Sequence, residues 1–346
     1  MSISANLSMM SGNQTQGNNT NCKLYHDDRT FQVVPVYILV IAVLGIVLNV
    51  FVLMVFCLHK KACTVPEIYL SNLAAADLVL VSCLPFWVVN VSRKFVWTFD
   101  ESLCKIVNVG IVMNAYCSIY FLVLVSIDRY MALVHPMTQM RMRRPSYAKL
   151  GCLLVWGLGF LLSLPSLIFR KLGFEGNVTR CYIDYPKNTY VLFELMLFIF
   201  SFCIPIAIIS FCTIKIIKVL TNRLIEGLES QNTDQKATTL LLAVLLAFLI
   251  CWVPFHLTKM PTILSKMGII TKCSVLYVLL ICRQTFTYFA FFNSVLNPIL
   301  YVIVGKNFRK KTKELFKQRS VRKSTSRFTS ARSYLSRSTT TTQLKT

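Results

Sequence analysis

The residues that could do chemistry are the few polar and charged ones set inside long apolar runs. Ser118 to Pro136 reads SIYFLVLVSIDRYMALVHP, an apolar run that ends abruptly in Asp128-Arg129-Tyr130. A charged pair flush against hydrocarbon-like sequence is unfavourable and points to a task. Adjacent residues on a helix do not face each other, so Asp128 is expected to restrain Arg129 loosely, as a latch that can open. The competing reading is an Arg that snorkels at a membrane boundary beside a solvated Asp. Asp77 sits in the middle of LSNLAAADLVLVSCLPFW. It is either a functional acid or a protonated, hydrogen-bonded structural one. Asn114 and Ser118 lie at i and i+4 and so share one helix face. Glu194 lies inside an apolar run near its N-terminal end, and His256 follows Pro254 by two residues, the place of a pocket-lining polar group. The chain has no P-loop, G-x-S-x-G, H-E-x-x-H or Cys/His metal cluster, so it is expected not to be an enzyme.

What must position these residues follows from composition. The chain has 346 residues, 55% of them apolar, and a mean hydropathy of +0.59. Seven continuous apolar blocks run over about 33–58, 67–90, 104–134, 148–169, 189–218, 237–263 and 275–304. Each reaches the roughly 18–20 residues needed to cross about 30 Å of hydrocarbon. A transmembrane β-barrel would instead show short alternating segments. The expectation is an all-α membrane protein, a seven-transmembrane helix bundle over 33–304, because backbone in lipid must satisfy its own hydrogen bonds. Ala74-Ala75-Ala76 permits close helix approach. Pro85, Pro165, Pro205, Pro254 and Pro298 each remove a backbone donor and allow a bend.

The net charge of +23 raises the question of a nucleic-acid partner, and its distribution argues against one. Lys306 to Lys345 holds thirteen Lys/Arg against one acid, Glu314. Bases also follow the first, third and fifth blocks (Lys60-Lys61, Arg141, Arg143-Arg144, Lys215, Lys218), the excess expected on a cytoplasmic face. Arg93-Lys94 and Arg170-Lys171 depart from that bias. Seven spans then put the N-terminus outside. Residues 1–32 are expected to be extracellular and glycosylated, without a cleavable signal, with sequons at Asn6, Asn13 and Asn18 and another at Asn177. Asn90 also heads a sequon but lies too close to the membrane. Residues 305–318 read as an amphipathic helix on the anionic inner leaflet, with Phe308, Leu315 and Phe316 on one face. Residues 319–346 are rich in Ser, Thr and Arg and read as a disordered tail. Of thirteen Cys, eight lie in apolar helical sequence, Cys63 lies in a cytosolic loop, and Cys22, Cys104, Cys181 and Cys273 lie outside, where three pairings are open.

One polar signature falls in each apolar block or nearly so: Asn49, Asp77, Asp128-Arg129-Tyr130, Trp156, Pro205, Cys251-Trp252-Val253-Pro254 and Asn297-Pro298-Ile299-Leu300-Tyr301. In that order, over about 33–318, the chain resembles the rhodopsin-class G-protein-coupled receptors. The stretches CTVPEIYLSNLAAADLVLVSCLPFW, SIDRYMALVHPM and YVIVGKNFRKK are most similar to the bradykinin receptors, with angiotensin receptors next. The resemblance implies a Cys104–Cys181 bridge and a second from Cys22 to Cys273. It implies a sodium pocket of Asp77, Asn114, Ser118 and Asn293, the one inorganic ion expected. It implies a G-protein switch of Asp128, Arg129, Tyr130, Asn297, Pro298 and Tyr301, reached through Trp252, Phe248, Pro254, Pro205 and Ile119. The peptide site is expected to draw on Glu194, Asp184, His256, Gln284 and Trp87, with Glu194 and Asp184 the outer-side acids available to a basic peptide.

There are departures from the family's pattern. Thr213 stands where the class carries a Tyr, and Thr262 and Leu280 stand where bradykinin receptors place acids. Val112 stands where the receptors for des-Arg kinins carry a Lys. The function implied is a plasma-membrane receptor for a bradykinin-like peptide that activates heterotrimeric G proteins, with phospholipase C and calcium as output. The alternative is another peptide, angiotensin-like or chemokine-like. Receptor kinases and arrestin are expected at the tail, lipids around the bundle, and no nucleic acid. A retinal pump would need a Lys in the last block, which has none, and a transporter would show inverted repeats and broken helices.

Overall fold

The computed structural model describes residues 28–59, 62–135, 144–186, 189–225, 232–267, 269–270, 272–303, 305 and 308–318. Asn6, Asn13, Asn18, Cys22 and the tail from 319 lie outside the described residues. The helices are α1 (Asp28–Leu58), α2 (Val65–Ser92), α3 (Glu101–Val134) and α4 (Pro145–Phe169). A hairpin of β1 (Arg170–Glu175) and β2 (Val178–Ile183) follows. Then come α5 (Tyr190–Phe198), a π-turn at Ile199–Cys203, α6 (Ile204–Ile225), α7 (Asn232–Leu257), α8 (Lys259–Lys266), α9 (Cys273–Phe291) and α10 (Asn293–Ile303). A last helix, α11, covers 308–318. Among the described residues seven helical stretches are long and apolar enough to cross a membrane, α5–α6, α7–α8 and α9–α10 each making one of them.

Local sequence explains where these helices start and where they break. The amide and hydroxyl of Thr64 donate to the Glu67 carboxylate at 2.8 and 2.9 Å, a capping arrangement just ahead of Pro66. Pro298 has no N–H to give the Ser294 carbonyl, and the Asn49 amide fills that vacancy at 2.9 Å. The fifth span widens into a π-turn immediately before Pro205, and the Tyr120 hydroxyl donates to the Phe200 carbonyl there at 2.9 Å. The sixth and seventh spans, expected as single helices, are each interrupted. The sixth breaks at Thr258, three residues before Pro261. The seventh breaks at Phe292, where Phe292 N bonds the Phe289 carbonyl and Val295 N bonds the Phe292 carbonyl in tight i→i−3 steps.

Packing follows the small residues. A Cβ on Gly45 would meet Val81 Cγ1 at 2.5 Å, and one on Gly159 would meet Cys117 Sγ at 2.5 Å. Glycine is therefore what lets α1 lie on α2 and α4 lie on α3. α3 is the most enclosed span, and Ile119, Phe121 and Leu122 are wholly buried at its middle. The apolar surface left on α1 and α4, including Leu153 and Leu154, belongs to the lipid face.

The hairpin is held over one end of the bundle. Cys181 in β2 is disulfide-bonded to Cys104 in the first turn of α3, across a sequence separation of 77. Trp97 N donates to the Thr179 carbonyl at 2.8 Å. Gly176, with φ of 60°, and the exposed Asn177 form the two-residue turn. Asn90 is buried, which agrees with its exclusion as a glycosylation site. Cys273 is disulfide-bonded, while Cys22, expected as its partner, is outside the described residues. Replacing Cys104 by Ser should destabilise the fold by about 2–5 kcal/mol. That would read as a lower midpoint of thermal inactivation of the solubilised protein. An unchanged midpoint would mean that the backbone contacts alone hold the hairpin.

Candidate functional site

Three polar centres lie along the bundle. The middle one surrounds Asp77, which is 0% exposed. Asn114 Nδ2 donates to Asp77 Oδ1 at 3.1 Å and Asn297 Nδ2 donates to Asp77 Oδ2 at 3.0 Å. Asn114 also donates to the Ser118 hydroxyl at 3.1 Å. Ser118 and Ser294 complete the carboxylate's polar surroundings. Asn293 is buried too, and its Oδ1, like that of Asn297, has no hydrogen-bond partner among the described residues. A carboxylate, two hydroxyls and orphaned amide oxygens form a donor set that suits a small hard cation such as sodium.

A second centre is a cavity at the hairpin end. Its floor holds Trp252 and Phe248, whose rings stack at 5.8 Å. The His256 ring lines it and stacks on Phe202 at 4.8 Å and on Trp252 at 6.0 Å. Val112, Tyr116, Tyr185 and Tyr190 supply further wall. Glu194 is the one acid among the lining residues, and Lys259 Nζ lies 3.4 Å from its carboxylate, both side chains nearly enclosed. Arg170 and Arg283 complete the charged wall. Burial pushes the Arg170 guanidinium down to about 10, which still leaves it charged at neutral pH.

Not every residue expected at a ligand site reaches this cavity. Asp184 does not join Glu194. It pairs with Lys171 Nζ at 2.6 Å on the solvent side of the hairpin, and that carboxylate holds Lys171 above its ordinary value. Hairpin register is the reason: Lys171 stands opposite Tyr182, so its side chain reaches Asp184 across the strand end. Trp87 packs with Trp97, Val107 and Tyr288 in a separate apolar cluster. Gln284 donates to the Tyr288 hydroxyl at 2.9 Å and is absent from the lining. Arg170 was legible only as a departure from the basic bias of the opposite side, and Lys259 and Arg283 only as bases near a rim. Burial is what makes them site residues.

The third centre lies at the opposite end. Arg129 Nη2 and Asp128 Oδ2 are 2.9 Å apart, with side chains 10% and 7% exposed. The pair is therefore tighter than neighbouring helix positions suggest, because Arg129 folds back over its own turn. Tyr130 meets His135 edge to face and lies tilted against Phe211. Tyr301 is 1% exposed with an unpartnered hydroxyl among the described residues, in keeping with Thr213 at the place of the usual Tyr. α11 is fastened alongside. Phe308 packs on Phe51, Phe56 and Tyr301, Lys311 bonds Glu67 at 2.9 Å and His59 meets Glu314 at 3.0 Å. Leu315 is buried with Phe308, whereas Phe316, expected on the same face, is 56% exposed. Eight residues separate Phe308 from Phe316, so helical drift carries the latter off the buried stripe.

This geometry can be set beside known proteins. The family model described as 7 transmembrane receptor (rhodopsin family) matches residues 48–301. The chain is 47% identical to the B2 bradykinin receptor of Oryctolagus cuniculus over 286 residues, 81% of this chain and 78% of that protein. It is 47% identical to the Homo sapiens B2 bradykinin receptor over 287 residues, 82% of this chain and 73% of that protein. Against the B1 bradykinin receptor of Homo sapiens it is 37% identical over 324 residues, 90% and 91% of the two chains. These are receptors and not enzymes. The match over residues 48–301 and these identities, together with seven apolar spans, place it: the chain is a multi-pass plasma-membrane protein that belongs to the rhodopsin family of seven-transmembrane receptors, in the branch that holds the bradykinin receptors.

Proposed function

We propose that this chain is a cell-surface receptor for a bradykinin-like peptide, with the N-terminus and hairpin outside, and that it activates heterotrimeric G proteins with phospholipase C and calcium as output. The observation that carries the reading is the disposition of the cavity and Arg129 at opposite ends of one bundle, with Trp252, Phe248 and the Asp77 centre between them. The peptide enters under the Cys104–Cys181-bonded hairpin and reaches Trp252. Activation is then a population shift between two packings, with the sixth span swinging about Pro254 and Arg129 released toward the G protein. Pro205 and Ile119 belong to the same transmission path. Residues 1–32 serve as a glycosylated outer segment. The tail from 319, once phosphorylated by receptor kinases, docks arrestin, and α11 rests on inner-leaflet lipid. One observation favours a different peptide of the same receptor class: cations outnumber acids around the cavity.

A calcium-flux assay of transfected cells against a kinin panel tests the reading directly. Arg129→Ala should abolish G-protein signalling and leave surface peptide binding largely intact, and normal signalling by that variant would remove the latch from the mechanism. Sodium, held at the Asp77 centre by Asn114, Ser118 and Asn293, should favour the inactive packing. Agonist affinity should therefore fall as sodium replaces a larger monovalent cation at constant ionic strength, and Asp77→Asn should erase the dependence. An equal dependence in the variant would assign Asp77 a purely structural role. Truncating one member of a desolvated charge pair typically costs about 2–5 kcal/mol, so Glu194→Ala should weaken an Arg-terminated kinin by tens-fold or more and barely affect an analogue with a neutral last residue. Equal losses for the two would mean that Glu194 serves Lys259 and not the ligand.

A further inference from the structure

The hairpin carries an apolar ring left in the open. Phe174 is 85% exposed, more than any other large apolar side chain among the described residues. The next two, Leu153 at 68% and Val33 at 66%, lie on membrane-crossing stretches, where lipid covers them. Phe174 lies on β1, outside every such stretch. Alternation along the strand puts it on the same face as Arg170 and Leu172. Arg170 is buried and Leu172 packs into the apolar cluster that holds Trp97 and Cys104. That face is covered at its start and runs past its cover by Phe174, the last residue of β1 but one.

A glycosylation acceptor stands beside that ring. Asn177, Val178 and Thr179 form a sequon, and Asn177 is exposed in the turn. Register sets Phe174 directly opposite Thr179 and Glu175 opposite Val178, so the ring and the sequon's threonine share one face. Asn177 precedes Thr179 by two and is therefore the diagonal neighbour of Phe174, about 7–8 Å away in such ladders. We propose that Phe174 is the platform on which the first N-acetylglucosamine of an Asn177 glycan stacks. This rests on the outward orientation of the hairpin given above and adds a residue that the sequon alone does not name. A transferase moves the oligosaccharide to Asn177 from a lipid-linked diphosphate. The bond from anomeric carbon to phosphate oxygen breaks, one from that carbon to Asn177 Nδ2 forms, and the amide proton leaves with the diphosphate. One face of the sugar then presents axial C–H bonds, weakly positive, to the negative face of the aromatic ring. The contact covers Phe174 with a group built into the same hairpin. It also stiffens the turn beyond the Cys104–Cys181 anchor, so the roof of the cavity is held at its tip as well as at its base.

The test uses the full-length receptor with Asn6, Asn13 and Asn18 changed to Gln, made in cells that leave high-mannose glycans. Hydrogen exchange of the backbone amides in residues 170–183 is read by mass spectrometry. Endoglycosidase H leaves the first sugar on Asn177 and should leave exchange slow. Peptide N-glycosidase F, or Asn177→Gln, takes that sugar away and should speed exchange roughly two- to ten-fold, the range of one aromatic contact. Phe174→Ala should reach the same faster rate with the sugar in place, and removing the sugar from that variant should add nothing. Phe174→Tyr, which keeps an aromatic face, should keep the slow rate. Equal effects of Phe174→Ala with and without the sugar would assign the ring to lipid or ligand and overturn the platform. Faster exchange on trimming to the first sugar would overturn it too. A receptor that answers kinins but carries no glycan on Asn177 loses this proposal alone. One whose wild-type form carries no N-linked glycan loses the outward orientation with it.

Discussion

A carboxylate with no access to water is the constraint from which the rest of this bundle can be read. Asp77 sits wholly buried on α2, where a charge or even an unbonded polar group is disfavoured by several kcal/mol. Its two oxygens are met by Asn114 from α3 and Asn297 from α10. Asn297 precedes Pro298, and the carbonyl that Pro298 leaves unpaired is met by Asn49 from α1. Four spans are thus registered against one another by polar groups that have no alternative partner in lipid. Apolar packing alone would not fix that register, since lipid tails are as apolar as the side chains.

The same scarcity of partners makes the two ends responsive. At one end Arg129 is restrained by its own neighbour Asp128, within one helix. At the other end the fifth and sixth spans are tied by the ion pair of Glu194 with Lys259 and by the stack of His256 on Phe202. Between them the aromatic stack of Phe248, Trp252 and His256 runs along the sixth span across Pro254. A span interrupted at Thr258 and lacking an amide donor at Pro254 has fewer backbone bonds to break when it moves. α11 does the opposite work. Phe308 in its aromatic nest, Lys311 on Glu67 and Glu314 on His59 give the α1–α2 corner a fixed footing.

Much of this was legible in the chain itself. Seven apolar blocks of membrane-crossing length dictate seven helices, because nothing else satisfies the backbone in hydrocarbon. Asp77, Arg129, Trp252 and Pro298 announce themselves as polar or helix-breaking residues where only apolar helix formers are free to go. Period and composition are one-dimensional signals, and these features are one-dimensional.

The tertiary structure decided who meets whom. Sequence placed Asp184 with Glu194 as possible acids of one site, but strand register sends Asp184 to Lys171 and leaves Glu194 with Lys259. Sequence read Arg170 as an exception to a charge bias, and the hairpin fold buries it in a cavity wall. It treated Asn297 as part of a switch, and helix packing makes it a direct partner of Asp77. It gave Phe316 the same face as Phe308, and the helix's own 100° step turns it outward. In each case the deciding quantity is a distance between residues far apart in the chain or a direction around a helix axis, and neither exists until the spans have packed.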